Sequence, residues 1–541
     1  MQIMDLSYAL NNEILPLKYE GVSFNASIQI FTEENVYTVK PGSLLKNGNT
    51  YTSNKILWGD SELVDNSFVN FDIEKEAKSL KFTAKTQLNR NIYGFKLRFD
   101  DLPLGKLLTL TEKDIDITEY GHLFRYPEGW RELSTPLLVF QLENKKFLYI
   151  RVRHDKVIPI SFYLKKTASQ KMRVEITIDQ RGHELSKTFN PCPIEMGISD
   201  NLEDIYLEQN EHLRTTFNLV DYKTNPNVPK WMKDVSLVVI MHMEAFTGHI
   251  FHTYKKALED IKALTKYIDG KRILVYIAGW EGRYYYKYGN YTPDDRLGGE
   301  IGLKEMVDGM HELGAHVLAM YGMNMANATL FSKEQVTEME FVTSRGGRFH
   351  KGSVDWEGSH CYDSGFFTSN NPGRILWQDY LFNQIKESSL RFNFDGAFLD
   401  IAACYVNDLR TPVYEGLTTL CNRLRTIKPE FLISGEGYYD ALSKIIPLFQ
   451  SGHTDGRMNY HDRVSPLLFN CFSREFSHLC LGDLSRGSSG VHELGTNDDV
   501  KTPLREALIP TLTLVEDTVE KALDKIKDVL KDANTYAERY L

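Results

Sequence analysis

Phe394-Asp395-Gly396-Ala397-Phe398-Leu399-Asp400-Ile401-Ala402-Ala403 is the stretch on which the reading of this chain turns. Asp395-Gly396 is a turn pair, Ala397-Phe398-Leu399 a short apolar run, and Asp400 a carboxylate followed by more apolar residues. A run of this length between turn signals reads as a buried strand. A charge at the end of such a strand is costly to desolvate unless something uses it. Upstream, Ile375 to Ile385 has a helical period, with Ile375, Tyr380, Leu381 and Ile385 on or near one face. Helix, short loop, strand and strand-end acid follow in the order by which a (β/α) barrel builds an active site. Asp400 is therefore the first candidate catalytic carboxylate.

Outward from this unit the same alternation repeats. Val235–Met243, Arg272–Gly279 and Ala315–Gly322 read as the first three strands, with helical patterns over Tyr254–Ile268 and Gly302–Leu313 between them. The Asp400 unit is fourth. A helical pattern over Tyr414–Thr426 leads to a fifth strand, Glu430–Glu436. Ile445–His453, His478–Asp483 and Thr511–Val515 complete a predicted set of eight. Strands alternating with helices are parallel βα units, and eight of them are a (β/α)8 TIM barrel, an α/β fold. Trp280–Glu300, Asn324–Arg374 and Thr454–Phe476 are long insertions expected at its active-site end. Thr518–Leu541 carries Val519, Leu523, Ile526 and Leu530 at helical spacing and predicts an amphipathic C-terminal helix.

Before the Pro-rich link Asn225–Trp231 the pattern is different. Phe24–Phe31, Ser67–Ile73, Ser79–Ala84, Tyr93–Phe99, Leu137–Leu142, Phe147–Val152 and Met172–Ile178 are short runs, most of them alternating, with turn residues between them. They predict an antiparallel β-sandwich. The expected organisation is a sandwich domain over 1–225 and a barrel with its C-terminal helix over 226–541.

The 541 residues carry a net charge of −10 without a basic cluster, which argues against a nucleic-acid partner. Aromatic residues make up 12% of the chain, including 29 Tyr and 29 Phe. This suits either large β-rich cores or a surface on which sugar rings stack. The six cysteines show no CxxC and no zinc spacing, as in a reducing compartment. The chain starts without a basic segment leading into a long apolar one, and no run reaches about 18 apolar residues. A cytoplasmic protein that does not span a membrane is the expectation.

A second acid follows at the next strand. Glu436 ends Leu432-Ile433-Ser434-Gly435-Glu436, 36 residues after Asp400, so two carboxylates lie at the same end of adjacent strands. Facing carboxylates are what glycoside hydrolysis requires, one at the anomeric carbon and one protonating the leaving oxygen. Candidate sugar contacts sit after the other strands: His242 and Glu244 after the first, Trp280, Glu281 and Arg283 after the second, Tyr321 and Asn324 after the third. Trp356 lies in the long insertion before Asp400. His453, Asp455 and Arg457 follow the sixth strand, and Asp483 ends the expected seventh.

The segment from Asn371-Pro372-Gly373-Arg374 through Asp400 resembles the fourth-strand region of barrel glycosidases. An Asp on strand four with a Glu on strand five resembles the α-amylase superfamily and the endo-α-N-acetylgalactosaminidase-like barrels, retaining α-glycosidases often joined to a β-sandwich. The resemblance implies Asp400 as nucleophile, Glu436 as general acid/base and a carbohydrate substrate with no cofactor. The chain departs from the α-amylase pattern at Phe398, where that superfamily has Arg. Barrels of the α-galactosidase type use an Asp on strand six as acid/base, which by the same resemblance falls on Asp455, alternatively a third, stabilising acid.

Other chemistries have weaker signals. His249, His252, His453 and Asp455 are metal-ligand types, but Met241-His242-Met243 is not the His-x-His of barrel metallohydrolases. Ser434-Gly435-Glu436 is not a nucleophile elbow, and the glycine-rich stretch 482–490 lacks the lysine of a phosphate-binding loop. A metal-dependent hydrolase and a non-catalytic carbohydrate-binding barrel are the alternatives to a glycosidase.

Overall fold

The computed structural model describes residues 12–63, 65–108, 115–127, 133–245, 248–282, 286–348, 367–451, 471–477, 480–481, 494–495 and 508–541. Two antiparallel sheets, of nine and ten strands among the described residues, occupy the first part. Every run named above lies largely within a strand, such as Val22–Phe31, Ser79–Ile92 or Met172–Asp179. Alternate side chains face inward, so the two sheets meet over an aromatic core. Phe82 of one sheet lies 5.1 Å from Phe99 of the other, and Phe24 meets Phe99 edge-on at 5.6 Å.

Eight parallel strands then form the barrel: β1 (Leu237–His242), β2 (Ile273–Ala278), β3 (His316–Gly322), β4 (Gly396–Asp400), β5 (Leu432–Glu436), β6 (Leu448–Ser451), β7 (Arg474–Ser477) and β8 (Thr511–Leu514). The pairing runs in chain order and returns from β8 to β1. A parallel bridge between Phe476 and Ile509 joins β7 to the segment entering β8, with Ile509 N–H donating to the Glu475 carbonyl at 2.9 Å. Every residue of β1, β2 and β4 is buried, as expected of strands covered on both faces.

The seventh strand is not His478–Asp483. It is Arg474–Ser477, and Cys480–Leu481 forms a short extra strand beside β8, with Leu481 opposite Leu512. The physical reason is that β7 buries two charges, with Arg474 and Glu475 at 8% and 4% exposure. The Arg474 guanidinium lies 4.3 Å from the centre of the Tyr222 ring. A strand that buries charges, one of them stacked on a ring, has no hydropathic signature. Asp483 itself lies outside the described residues.

Helices cover the barrel: α1 (Leu202–Phe217), α2 (Tyr254–Leu264), α3 (Gly299–Glu312), α4 (Ile375–Phe392), α5 (Val413–Leu424) and the C-terminal α6 (Leu523–Tyr540). In α4 the buried stripe is Trp377, Leu381, Ile385, Ser389 and Phe392, while Ile375 is 68% exposed. The apolar face is thus rotated from the expected one: Trp377 at i, i+4 and i+8 spacing selects it, and Ile375 falls outside. Asn393 stops the helix in a left-handed conformation (φ 58°) and turns the chain towards β4. Among the described residues no helix is long and apolar enough to cross a membrane.

Asp395, entering β4, fastens this unit to its neighbour. Its carboxylate accepts from Val317 N–H of β3 and from His311 Nε2 of α3, both at 2.8 Å. Burial alone would raise its pKa, but the hydrogen bond from His311 and the neighbouring His316, 3.6 Å away, more than offset this and hold it well below 3.8. Hydrogen bonds to a charged group contribute about 1.5–3 kcal/mol each when one partner is removed. Asp395→Asn is expected to lower stability by roughly this amount at pH 7 in urea unfolding. A carboxyl with a depressed folded-state pKa stabilises above its unfolded value, and that stabilisation is lost in acid. The gap between wild type and Asp395→Asn should therefore narrow as pH falls below about 4.

Candidate active site

The site is built from the C-terminal ends of the strands. Asp400 closes β4 opposite Gly322 of β3, at 7% exposure. One carboxylate oxygen accepts the Tyr288 hydroxyl at 2.7 Å. Tyr288 comes from the insertion after β2, and its ring occupies the space a side chain at Gly322 would take. A Cβ there would lie 2.3 Å from the ring. Gly322 is thus required by close approach, and it lets a buried phenol reach the acid.

Directly after Asp400 the backbone reverses. Ile401 has φ 58°, the left-handed region that a β-branched residue enters only under constraint. Glu436 supplies the constraint. Its Oε2 accepts Ile401 N–H at 3.0 Å, and its backbone carbonyl accepts Ala403 N–H at 3.0 Å. The two acids singled out from the sequence therefore share one turn: Asp400 precedes it and Glu436 holds it.

Glu281, after β2, is a third acid in the same field. It is fully buried, and neither carboxyl oxygen has a hydrogen-bond partner among the described residues. Burial is the main cause that raises its pKa to about 8; Asp400 and Glu244 add to the shift and Lys287 opposes it. Glu281 is thus mainly protonated at neutral pH, an acid able to donate a hydrogen bond. Glu244, also buried, accepts from Arg296 Nη2 at 2.6 and 2.7 Å, and Asp294 binds the same guanidinium at 3.0 Å. Asn324 is 3% exposed, and its side-chain oxygen has no partner among the described residues.

Three expected sugar contacts lie elsewhere. Trp280 is a core residue at 0% exposure, donating Nε1–H to the Met320 carbonyl at 3.0 Å and meeting Phe394 edge-on at 5.3 Å. Its ring fills the space between the barrel and α4 and offers no platform. The Tyr321 hydroxyl is 2.8 Å from Ser388 Oγ of α4, so its side chain faces the helix layer. Strand alternation accounts for this, since Tyr321 and Gly322 point to opposite faces. His242 is fully buried and stacked on Phe251 at 5.0 Å; burial, reinforced by His252, lowers its pKa to about 3 and keeps it neutral. Arg283, Trp356, His453, Asp455, Arg457 and Asp483 lie outside the described residues. Among the described residues no group of three or more His, Cys, Asp or Glu is placed to hold a metal ion.

Tyr288, Arg296 and Asp294 were not singled out from the sequence. The available signal was the run of tyrosines from Tyr284 to Tyr291 in an insertion already assigned to the catalytic end.

The chain shares its fold with α-galactosidases and an α-N-acetylgalactosaminidase. The α-N-acetylgalactosaminidase NagBb from Bifidobacterium bifidum, in complex with GalNAc, superposes with a TM-score of 0.67 over 96% of this chain and 90% of that one, at 11% identity. The galactosidase domain of the α-galactosidase-sucrose kinase AgaSK gives 0.52 over 97% and 74%, at 12% identity. The GH36 α-galactosidase AgaA from Geobacillus stearothermophilus gives 0.52 over 97% and 74%, at 10% identity. No protein-family model and no curated protein matches the sequence. Two of these neighbours are α-galactosidases and one is an α-N-acetylgalactosaminidase, so the expected resemblance to the α-amylase superfamily and the endo-α-N-acetylgalactosaminidase-like barrels is not confirmed.

The protonated state of Glu281 has a measurable consequence. Its folded-state pKa of about 8 exceeds the 4.5 of an ordinary Glu, so the folded protein holds a proton that the unfolded chain releases. Stability therefore falls as pH rises from about 4.5 to 8, by up to about 1.4 kcal/mol per pH unit. Glu281→Gln should remove this slope: similar urea midpoints at pH 5, and a higher midpoint than wild type at pH 9. Parallel pH profiles for the two proteins would contradict the assignment.

Proposed function

We propose that this protein is a retaining α-glycosidase acting on an α-galactoside or an α-N-acetylgalactosaminide. The observation that carries the reading is Asp400: a nearly buried carboxylate at the catalytic end of β4, oriented by the Tyr288 hydroxyl at 2.7 Å. The fold it shares with α-galactosidases and an α-N-acetylgalactosaminidase supports the choice of bond and of sugar.

In this reading Asp400 attacks the anomeric carbon. The bond to the leaving oxygen breaks as a carboxylic acid protonates it, and a glycosyl-enzyme forms on Asp400. The same residue, now a carboxylate, takes a proton from water, and water displaces Asp400, giving net retention. Glu436 is the acid/base by its place on the next strand. Asp455 is the second candidate, favoured by the bond from Ile401 N–H to Glu436 Oε2, which engages Glu436 in holding the turn. Glu281, a buried acid, and Asn324, whose buried side-chain oxygen like both carboxyl oxygens of Glu281 has no partner among the described residues, would bind sugar hydroxyls.

The test uses aryl α-galactoside and aryl α-N-acetylgalactosaminide with wild type, Asp400→Gly, Glu436→Gln and Asp455→Asn. Asp400→Gly should lose at least about 10³ in kcat. Azide should restore turnover and give a glycosyl azide of inverted anomeric configuration. The true acid/base variant should lose far more activity on substrates with poor leaving groups than on activated aryl glycosides. NMR of the first-formed sugar should show the α-anomer. An Asp400→Gly variant as active as wild type would end this reading.

A further inference from the structure

The barrel is gripped at its catalytic end by the N-terminal sandwich. Gly182, in the sandwich turn Gln180–Glu184, donates its N–H to Asn407 Oδ1 at 2.7 Å, and Asn407 Nδ2 donates to the Gln180 carbonyl at 3.0 Å. Asn407 lies seven residues after Asp400, in the loop that the Ile401 turn begins. The approach leaves no room for a side chain: a Cβ on Gly182 would stand 2.6 Å from the Asp408 carbonyl oxygen. Asp408 then carries the attachment further, accepting Val342 N–H at 2.8 Å, Arg410 N–H at 2.7 Å and Thr411 N–H at 3.0 Å. A second grip lies four residues beyond Glu436. Asp440 N–H donates to the Ser134 carbonyl at 2.8 Å, and its buried carboxylate accepts the Tyr126 hydroxyl at 2.7 Å.

We infer that the sandwich turn Gln180–Glu184 is a built-in part of the active site, and that Asn407 is a positioning residue that holds the Asp400 loop against it. Asn407 touches no reacting group. It acts through the loop 401–408, whose first residue sits in a costly left-handed conformation that relaxes unless both ends are held. One end is held by Glu436 and the other by Asn407. The sandwich also meets the barrel away from this turn: Arg345 Nη1, in the segment after β3, donates to the Glu33 carbonyl at 2.8 Å. This contact joins the same two parts without using the turn Gln180–Glu184, and so serves as the internal control.

The inference rests on the proposed role of Asp400, and its test separates the two. On an α-glycoside that wild type hydrolyses, Asn407→Ala should lower kcat by about tenfold or more with KM changed less than about threefold, since small misplacements at a reacting centre cost rate before affinity. Asn407→Asp, which keeps the acceptor for Gly182 N–H, should recover part of the loss. Arg345→Gln should keep the wild-type kcat. Melting temperatures report whether each variant is folded. Hydrogen exchange gives a readout that needs no substrate: amides of 400–408 should exchange faster in Asn407→Ala and at the wild-type rate in Arg345→Gln. A folded Asn407→Ala with kcat within twofold of wild type, unchanged exchange over 400–408, or equal losses in Asn407→Ala and Arg345→Gln would each overturn the inference. If wild type cleaves no α-glycoside, the functional reading falls and the exchange result alone decides the role of Asn407.

Discussion

A carboxylate at the end of a buried strand has to be satisfied by what lies just beyond the strand, and much of this catalytic end follows from how Asp400 is satisfied. One oxygen takes the Tyr288 hydroxyl, which requires the insertion after β2 to fold back over β3 and requires glycine at position 322. The chain then turns through Ile401 in a conformation its side chain disfavours. That turn persists because Glu436 accepts the Ile401 amide and its own carbonyl accepts the Ala403 amide. Strain of this kind survives only where surrounding bonds over-determine it. Here they come from Glu436 at the end of β5, while the insertion after β2 holds the preceding Asp400.

The acids of the site sit in different surroundings for physical reasons. Asp400 is given a phenol donor, and Glu436 a backbone amide. Glu281 is given burial without a partner among the described residues, so the neutral form is favoured and the pKa rises to about 8. Glu244 is as buried, yet Arg296 and Asp294 surround it with a charged network. Burial raises the pKa of Glu244 too, and the hydrogen bond and charge of Arg296 oppose the rise. Burial and the cation or donor within reach act together on each acid, so this end of the barrel holds both acceptors and donors.

Much of this was legible in the sequence, and the gaps have identifiable causes. The strand periodicity exposed β1 to β5, the sandwich strands and the strand-end positions of Asp400, Glu436 and Glu281, because each rests on local pattern. β7 escapes the periodicity because Arg474 and Glu475 are buried charges, and hydropathy marks them as surface. Trp280 and Tyr321 follow strands as sugar contacts would, but which face each side chain takes depends on how α4 packs, and local sequence does not carry that. Tyr288 reaches Asp400 from 112 residues away, a distance no spacing rule spans.

The same distinction explains why the sandwich looked like a separate module in the sequence. Its strands are self-contained patterns, and nothing in Gln180–Glu184 marks a contact with the barrel. Yet the contacts fall on segments just beyond Asp400 and Glu436, where a barrel has no hydrogen-bonded ladder to hold its backbone. Strand ends are where a barrel places its chemistry, and they are also where its own sheet stops supplying restraint. An insertion can supply that restraint, as the Tyr288 segment does over β3. A second domain can supply it as well, and a glycine that admits only backbone at the contact point fixes the distance more tightly than a side chain with rotamers to choose from.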